Sequence, residues 1–235
     1  CAAAYRVGAG LVTLATEPQV KIIVSKKLPE VTFLSTQEVF GKIEEYDVLL
    51  IGPGLGQSNQ SAKLVRLLLE KNLPKIIIDA DGLNILSKIG EWWKRLDGGV
   101  ILTPHPGEMA RLTGLSVDKI KQEKIHVAQY WAKKWEKIVV LKGANTVIAS
   151  PTGEALISPF ANPVLATAGT GDVLAGVIAG LLAQGLNPFT AASVGVFIHG
   201  QAGEQIAKKI GKAGMLASDL LPFLPQAIQD LVNKT

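Results

Sequence analysis

A run of small residues and glycines leads directly into a long apolar stretch at residues 166–176. In a helix that starts here, the first N–H groups and the helix dipole can bind a phosphate or a developing negative charge. Asp172 would lie in the first turn, where its carboxylate could accept a proton from a hydroxyl group. The segment predicts phosphoryl chemistry, with an anion hole at Gly169, Thr170 and Gly171. The alternative is an aspartate that only complements the helix dipole.

Two further segments follow apolar runs and carry glycines or carboxylates. Residues 52–56 read Gly-Pro-Gly-Leu-Gly, which either lets the backbone approach a ligand closely or forms a tight turn. Their spacing does not match the dinucleotide-binding fingerprint. Asp79 and Asp81 follow the next run and could hold Mg²⁺ through water or orient a polar ligand. Alternatively, Asp81 only caps the helix that follows.

A histidine and a lysine complete the set of candidate site residues. His105 lies between two prolines, which restrict its backbone, so we expect its ring to be held and to contact a ligand. The alternative is a structural histidine, which is what we expect of His199, whereas His126 is expected to be solvated. Lys142 ends an apolar run and suits the phosphates or sugar of a nucleotide, unless it is an ordinary turn lysine. No cluster has the spacing of a zinc site.

Short apolar runs alternate with helical patterns along the first 142 residues, and they carry almost no polar alternation. Such runs are typical of parallel strands buried on both faces. Strands are predicted at residues 11–16, 48–51, 75–79, 99–102 and 138–142. Helices are predicted at residues 62–71, 83–87, 106–113 and 117–135, followed by a hairpin over 146–157 and helices at 171–184, 189–210 and 217–232. The pattern predicts an α/β fold with a mostly parallel central sheet and helices on both faces.

Composition limits the class of protein. With 24 Lys+Arg against 20 Asp+Glu, the net charge of +4 is spread along 235 residues without a basic stripe, which excludes a dedicated nucleic-acid binder. The single cysteine, Cys1, excludes a disulfide framework and favours a reducing compartment, so we expect a cytoplasmic location. The longest apolar stretch, residues 173–183, is too short to span a membrane. We expect one domain over residues 1–235, and a chain that starts at Cys1 is expected to be processed, trimmed or partial.

Seven segments taken in order resemble a known family. They are GAGLVT at 8–13, GPGLG at 52–56, DADGLN at 79–84, TPHPGEMARL at 103–112, KGANT at 142–146, ATAGTGDVLAG at 166–176 and ASDL at 217–220. Together they resemble the ADP/ATP-dependent NAD(P)H-hydrate dehydratases, the carboxy-terminal module of YjeF-type repair proteins in the ribokinase-like superfamily. The resemblance covers nearly the whole chain, and the TPHPGE and GTGDVLAG segments distinguish it from sugar kinases.

The resemblance implies a ribokinase-like three-layer sandwich and a set of site residues. It implies dehydration of the S-epimer of NAD(P)H hydrate to NAD(P)H, with ADP or ATP converted to AMP or ADP and phosphate. The hydrate-binding positions are then Ala9, Gly56, His105 and Asp172. The positions that contact the nucleotide are Lys142, Gly143, Ala144, Asn145, Thr146 and Gly171. The resemblance also implies a homo-oligomer, often a tetramer, and an NAD(P)H-hydrate epimerase as a fused or separate partner.

The expected chemistry starts at Asp172, which takes the proton of the C6 hydroxyl group while that oxygen attacks the terminal phosphorus. Backbone N–H groups and Mg²⁺ would stabilise the transferring phosphoryl group. Two alternatives stay open: a ribokinase-like kinase for a thiazole or pyrimidine alcohol, and a non-catalytic nucleotide-binding protein. Family members carry an earlier strand and glycine-rich turn, whereas only seven residues precede Gly8. We therefore expect that strand to be missing and an interior position of the sheet to be unfilled.

Overall fold

The computed structural model describes residues 1–71, 73–96, 99–211 and 213–233. The strands are β1 (Thr13–Ala15), β2 (Thr32–Leu34), β3 (Val48–Ile51), β4 (Lys75–Ile78), β5 (Ile101–Leu102), β6 (Ile138–Leu141), β7 (Val147–Ala149) and β8 (Ala155–Ile157). The α-helices are α1 (Ala2–Arg6), α2 (Pro18–Lys27), α3 (Val39–Lys42), α4 (Asn59–Leu68), α5 (Ala80–Leu86), α6 (Pro106–Thr113), α7 (Val117–Gln122), α8 (Lys124–Trp135), α9 (Thr170–Ala183), α10 (Pro188–Ile210) and α11 (Leu224–Val232). Short 3₁₀ helices cover Ile43–Glu45, Trp92–Arg95, Pro163–Ala166 and Ala217–Phe223.

The central sheet has six strands in the order β3-β4-β5-β6-β7-β8. The first four are parallel, and β7 and β8 form the predicted antiparallel hairpin. Parallel pairing sets Ile51 beside Ile78, and Ile78 beside Leu102. The residues that follow β3, β4, β5 and β6 therefore lie along one edge of the sheet, where open α/β sheets bind ligands.

Helices cover both faces of this sheet, as the apolar runs predicted. In β4, Ile76 and Ile78 belong to one apolar core, and Ile77 between them belongs to the other. The first core is closed by α5, α6 and α8 and includes Trp92 and Trp135. The second is closed mainly by α9 and α10. The absence of polar alternation in the strands thus reflects burial on both faces. Among the described helices, none has the length and apolar character that crossing a membrane requires.

The amino-terminal part differs from the prediction. The strand predicted at residues 11–16 is shorter, and it pairs with β2 in a separate two-stranded parallel sheet instead of entering the central one. Its side chains are only half-buried or exposed, so the prediction of a strand buried on both faces is wrong here. β2 and α2 were not predicted. The six described strands of the central sheet are contiguous, which corrects the expectation of an unfilled interior position; β3 is an edge strand among them.

Helix α1 packs closely along α9 and supports the segment that carries Asp172. A Cβ atom at Gly176 would lie 2.9 Å from the Cβ atom of Ala3. A Cβ atom at Gly180 would lie 2.5 Å from Cγ2 of Val7 and 2.8 Å from the carbonyl oxygen of Ala4. The two glycines are therefore needed because the helices approach too closely for a side chain.

We predict that Gly180→Ala destabilises the protein by about 1–3 kcal/mol, because the new methyl group must displace backbone as well as a side chain. The matched control is Gly41→Ala in α3, where a Cβ atom would meet nothing within 4 Å. The control should leave stability unchanged or raise it by about 0.5–1 kcal/mol. Chemical denaturation measures both. Equal stability of the two variants would contradict the close packing of α1 on α9.

Candidate active site

A buried ion pair joins the carboxyl ends of β4 and β6. Nζ of Lys142 lies 2.6 Å from Oδ1 of Asp79 and 3.8 Å from Oε2 of Glu108. The Asp79 side chain is 1% exposed and that of Lys142 is 15% exposed, so the pair is largely removed from water. Lys142 is therefore held by carboxylates at the edge of the sheet and is not an ordinary turn lysine.

Asp79 both pairs with Lys142 and caps the helix that follows it. Its Oδ1 atom accepts a hydrogen bond from the Ala80 N–H group (2.8 Å) and caps α5, a task the sequence suggested for Asp81 instead. Its other carboxylate oxygen, Oδ2, is buried without a hydrogen-bond partner in the described part of the chain.

The first glycine of the run at residues 52–56 is required by packing. A Cβ atom at Gly52 would lie 1.8 Å from the carbonyl oxygen of Asp79, so the backbone after β3 can approach the end of β4 only with glycine there.

The proline-flanked histidine is held as predicted. His105 is extended (φ −80°, ψ 167°), and its Nδ1 atom accepts hydrogen bonds from the N–H groups of Gly107 (3.0 Å) and Glu108 (3.4 Å). Glu108 completes a capping box by accepting the His105 N–H group at 2.7 Å. Burial holds the pKa of His105 below its ordinary value, although Glu108 acts in the opposite direction. Because Nδ1 accepts these hydrogen bonds, the ring is neutral and oriented, and about half of the side chain is exposed to solvent (49%).

The glycine-rich segment forms the start of α9, as predicted. Gly169 is the N-cap residue and has a left-handed conformation (φ 89°), which glycine adopts without strain. The Thr170 hydroxyl group is buried and donates to the carbonyl oxygens of Leu165 (2.7 Å) and Thr167 (2.8 Å). Its N–H group also donates to Thr167 (3.2 Å). The N–H group of Thr170, predicted as part of the anion hole, is thus engaged within the protein, and that of Val173 donates to Gly169 (3.1 Å). Within the described part of the chain, the N–H groups of Gly171 and Asp172 are those at the helix start that find no protein acceptor.

The Lys142 ammonium group lies directly beside this helix start. A Cβ atom at Gly171 would be 3.4 Å from Nζ of Lys142. The next residue, Asp172, is accessible to solvent. Although the side chain reaches solvent, its partial desolvation raises the pKa of Asp172, the charge of Asp79 raises it further, and Lys142 partly opposes them. A carboxyl group of raised pKa, an ammonium group and a helix N-terminus thus lie together, and these are groups that phosphoryl-transfer chemistry can use.

His199 supports the same turn from α10. Its Nε2 atom lies 2.9 Å from the carbonyl oxygen of Thr170, and the side chain is buried. Burial lowers the pKa of His199 to about 4, so the ring is neutral and Nε2 donates its hydrogen to Thr170. The structural role expected of His199 is therefore to hold Thr170, the first residue of α9, through this hydrogen bond.

A cavity of about 320 Å³ opens beside α9. Its walls come from the loop after β6, the segment at residues 158–166, and the first turns of α9 with part of α10. Five of the predicted nucleotide contacts line it: Lys142, Gly143, Ala144, Thr146 and Gly171. Asn145 is turned away, since its side chain donates to the carbonyl oxygen of Ser158 (3.0 Å) and its N–H group donates to Phe160 (2.9 Å).

A polar network next to the glycine-rich turn was not found from the sequence. The Asp81 carboxylate accepts hydrogen bonds from the Gly56 N–H group (2.9 Å) and from Nε2 of Gln57 (3.1 Å). Nε of Arg111 donates to Oδ1 of Asn84 at 2.7 Å, one helical turn after Asp81. Asp81 therefore orients the turn that contains Gly56. In the sequence, Asp81 is marked only by its position two residues after Asp79. That spacing is equally typical of two carboxylates that bind a metal ion.

Ala9 does not lie in this cluster. Its neighbour Gly8 packs against the side chain of Gln184, the residue that ends α9. Asp172 lies at the opposite end of this 14-residue helix, which is about 20 Å long at 1.5 Å per residue. Only an extended ligand could contact both positions.

The described residues include no group of three or more His, Cys, Asp or Glu side chains that could hold a metal ion on their own. Mg²⁺ in proteins uses one or two carboxylates together with water and substrate phosphates. The buried, unpartnered oxygen of Asp79 fits that requirement as one protein ligand beside the phosphate site. These residues fit a magnesium ion that arrives with a nucleotide.

We predict that Asp79→Ala destabilises the protein by about 3 kcal/mol, because Lys142 then stays in a largely buried place without its partner. The double variant Asp79→Ala/Lys142→Met should recover part of this loss. The control is Lys94→Ala, which removes an exposed ion pair (64% and 62% exposed) and should change stability by less than about 0.5 kcal/mol. Denaturant unfolding measures all three. Additive losses in the double variant would contradict the pairing.

The chain matches the family model described as NAD(P)H-hydrate dehydratase over residues 1–226. It is 42% identical to a bifunctional NAD(P)H-hydrate repair enzyme of Moorella thermoacetica over 97% of this chain and 46% of that protein. It is 34% identical to an ADP-dependent (S)-NAD(P)H-hydrate dehydratase of Xanthomonas campestris over 97% of this chain and 82% of that protein. The chain thus spans about half the length of the first of these relatives.

Solved structures agree with the sequence relatives. The Bacillus subtilis ADP/ATP-dependent NAD(P)H-hydrate dehydratase co-crystallized with ATP/Mg²⁺ superposes with a TM-score of 0.86 at 32% identity, over 97% of this chain and 82% of that chain. A hydroxyethylthiazole kinase from Pyrococcus horikoshii has a TM-score of 0.70 at 18% identity over 97% of this chain and 94% of that chain, a likeness of fold alone. The fold is ribokinase-like, and the chain belongs to the NAD(P)H-hydrate dehydratase family.

Proposed function

We propose that this chain dehydrates the S-epimer of NAD(P)H hydrate to NAD(P)H, using ADP or ATP as the phosphoryl donor and releasing phosphate. The observation that carries the proposal is the convergence at the start of α9. There the Lys142 ammonium group, the free N–H groups of the helix and a carboxylate of raised pKa meet beside a cavity. The names of the Xanthomonas and Bacillus relatives support the choice of substrate.

The nucleotide occupies the cavity in this proposal. Gly143, Ala144 and Thr146 line its wall, and Lys142 and Gly171 lie where its terminal phosphate would meet the helix N-terminus. Asn145 contributes indirectly, because its hydrogen bonds to Ser158 and Phe160 fix the loop. An ammonium group beside free N–H groups favours negative charge on the transferring phosphoryl group. Gly169 acts through the left-handed conformation that opens the helix.

The hydrate binds on the other side of Asp172 in this proposal. His105 presents a neutral, oriented ring, and Gly56 is held by Asp81 on the neighbouring turn. Ala9 lies at the far end of α9, so a dinucleotide is long enough to use a contact that a small alcohol could not reach. This geometry favours the hydrate over a thiazole or pyrimidine alcohol.

The reaction divides into a transfer and an elimination. Asp172 takes the proton of the C6 hydroxyl group while that oxygen forms a bond to the terminal phosphorus, and the bond from that phosphorus to the nucleotide breaks. Lys142 and the N–H groups at the start of α9 hold the transferred charge. Phosphate then leaves C6, assisted by the lone pair of the ring nitrogen, and loss of a C5 proton restores the dihydropyridine. Magnesium bound with the nucleotide would neutralise phosphate charge, with Asp79 as its protein ligand.

The wider assignments are part of the same proposal. Residues 1–235 act as one domain, in a cytoplasmic location that the single cysteine supports. By the family resemblance, an NAD(P)H-hydrate epimerase is its functional partner, and the Moorella relative is named as a bifunctional NAD(P)H-hydrate repair enzyme. The active form is a homo-oligomer, a tetramer by the family resemblance. Size-exclusion chromatography with light scattering tests that last assignment.

We predict that Asp172→Asn lowers kcat by about a hundredfold to ten-thousandfold, because the hydroxyl group loses its base. The affinity for ADP or ATP should stay within a few-fold of wild type in calorimetry. The control is Asp118→Asn, which changes an exposed carboxylate in the first turn of α7 and should leave kcat unchanged. Turnover of Asp172→Asn within about tenfold of wild type would exclude Asp172 as the base. A stable phosphorylated alcohol in place of free phosphate would indicate a kinase.

The raised pKa of Asp172 predicts the acid limb of the pH profile. Asp172 is active as a carboxylate, so kcat/KM should fall on acidification through its pKa, at a higher pH than an ordinary aspartate would give. Asp79→Asn removes one of the two influences that raise this pKa, and should move the limb to more acidic pH. A limb that does not move in Asp79→Asn would contradict the electrostatic coupling of the two aspartates.

A further inference from the structure

Lys124, a lysine outside the predicted site, binds the backbone of the loop at residues 143–146, which follows β6 and lines the cavity. Lys124 is the first residue of α8, and its Nζ atom donates to the carbonyl oxygens of Ala144 (2.8 Å) and Asn145 (3.1 Å). A Cβ atom at Gly143 would lie only 3.4 Å from the same Nζ atom. The ammonium group therefore contacts three successive residues of the loop after β6.

This placement is costly for a lysine. Within the described residues its ammonium group forms no salt bridge with a carboxylate, so carbonyl oxygens are the partners observed for it. Burial lowers the pKa of Lys124 to about 8. Lysine stems usually extend so that the charge stays in water. Lys124 is partly buried and exchanges part of its hydration for two loop carbonyl groups, so it ties the start of α8 to the loop.

The loop itself has an unfavourable backbone. Gly143 has φ 129°, and Asn145 has the left-handed value of 52°, which is uncommon for a residue with a side chain. The carbonyl oxygen of Gly143 accepts the Thr146 hydroxyl group at 3.0 Å. Protein donors thus engage the carbonyl oxygens of all three residues from 143 to 145.

The orientation of these carbonyl groups determines where the N–H groups point. A trans peptide holds each carbonyl group opposite to the N–H group of the next residue. When the carbonyl oxygens of residues 143 and 145 face Thr146 Oγ1 and Lys124, the N–H groups of Ala144 and Thr146 face the other way. Both residues line the cavity of 320 Å³, whereas Asn145 does not. Through the Asn145 carbonyl group, Lys124 therefore orients the Thr146 N–H group towards the cavity side, and the Thr146 hydroxyl group does the same for the Ala144 N–H group through Gly143. The Ala144 carbonyl group, which Lys124 also holds, lies opposite the Asn145 N–H group, which donates to Phe160 (2.9 Å).

We propose that Lys124 is a positioning residue for the adenine nucleotide: it holds the loop at residues 143–146 so that backbone N–H groups face the phosphates or sugar. The inference rests on the proposed function for the identity of the ligand. The holding of the loop rests on the contacts of Lys124 alone.

The test compares Lys124→Met, which removes the donors, with Lys124→Arg, which keeps donors on a long side chain. Lys121→Met, an exposed lysine in α7, is the matched control. In Lys124→Met, hydrogen exchange at residues 143–146 should accelerate without ligand, and the Kd and KM for ADP should rise roughly tenfold or more. The KM for the hydrate should stay within about twofold of wild type. Lys124→Arg should recover most of the affinity for ADP.

Three outcomes would overturn the inference. If Lys124→Met shows unchanged hydrogen exchange and unchanged affinity for ADP while the wild-type enzyme is active, the role of Lys124 is overturned and the proposed function is not. An equal loss in Lys124→Met and Lys124→Arg, together with a lowered Tm and a raised KM for the hydrate, would show general destabilisation. Wild-type protein that binds no adenine nucleotide would overturn the proposed function, and the nucleotide role of Lys124 with it.

Discussion

The ion pair between Lys142 and Asp79 is the interaction on which the site depends. It removes two charges from water at the carboxyl edge of the sheet, and such burial is stable only when both partners are present. Because the pair joins β4 to β6, it fixes the end of β6 relative to the start of α5. It also puts an ammonium group beside Gly171 and a negative charge near Asp172, so one contact sets the charges on both sides of the start of α9.

The rest of the fold holds the partners of that pair in place. Parallel strands buried on both faces leave the edge as the place where polar residues can lie. Helix α9 carries the Asp172 carboxyl group to this edge, and close packing on α1 with the His199 hydrogen bond fixes the axis and the first turn of α9. Lys124 does the same for the loop on the far wall of the cavity. The two segments proposed to contact the nucleotide, the start of α9 and the loop after β6, are thus each held by a side chain from a neighbouring helix.

The sequence predicted the sheet, its hairpin and the start of α9 because apolar runs and glycines there report directly on burial and backbone conformation. It missed β2 and α2, whose side chains are mostly exposed and give no strong periodicity. Within the site, His105 and Lys142 could be predicted because proline and glycine neighbours mark them. Lys124 could not, since its role comes from a contact 20 residues away along the chain and its helix pattern is that of a surface lysine.

Recovery of reduced nicotinamide from its hydrate tests the proposed dehydration itself. Purified wild-type protein, Mg²⁺ and acid-prepared NADH hydrate are followed by the absorbance band of NADH, with ADP, with ATP and with neither. We predict that the band returns only when a nucleotide is present, and the better of the two nucleotides is the phosphoryl donor. If protein that binds ADP or ATP gives no nucleotide-dependent recovery, it is not an NAD(P)H-hydrate dehydratase driven by these nucleotides.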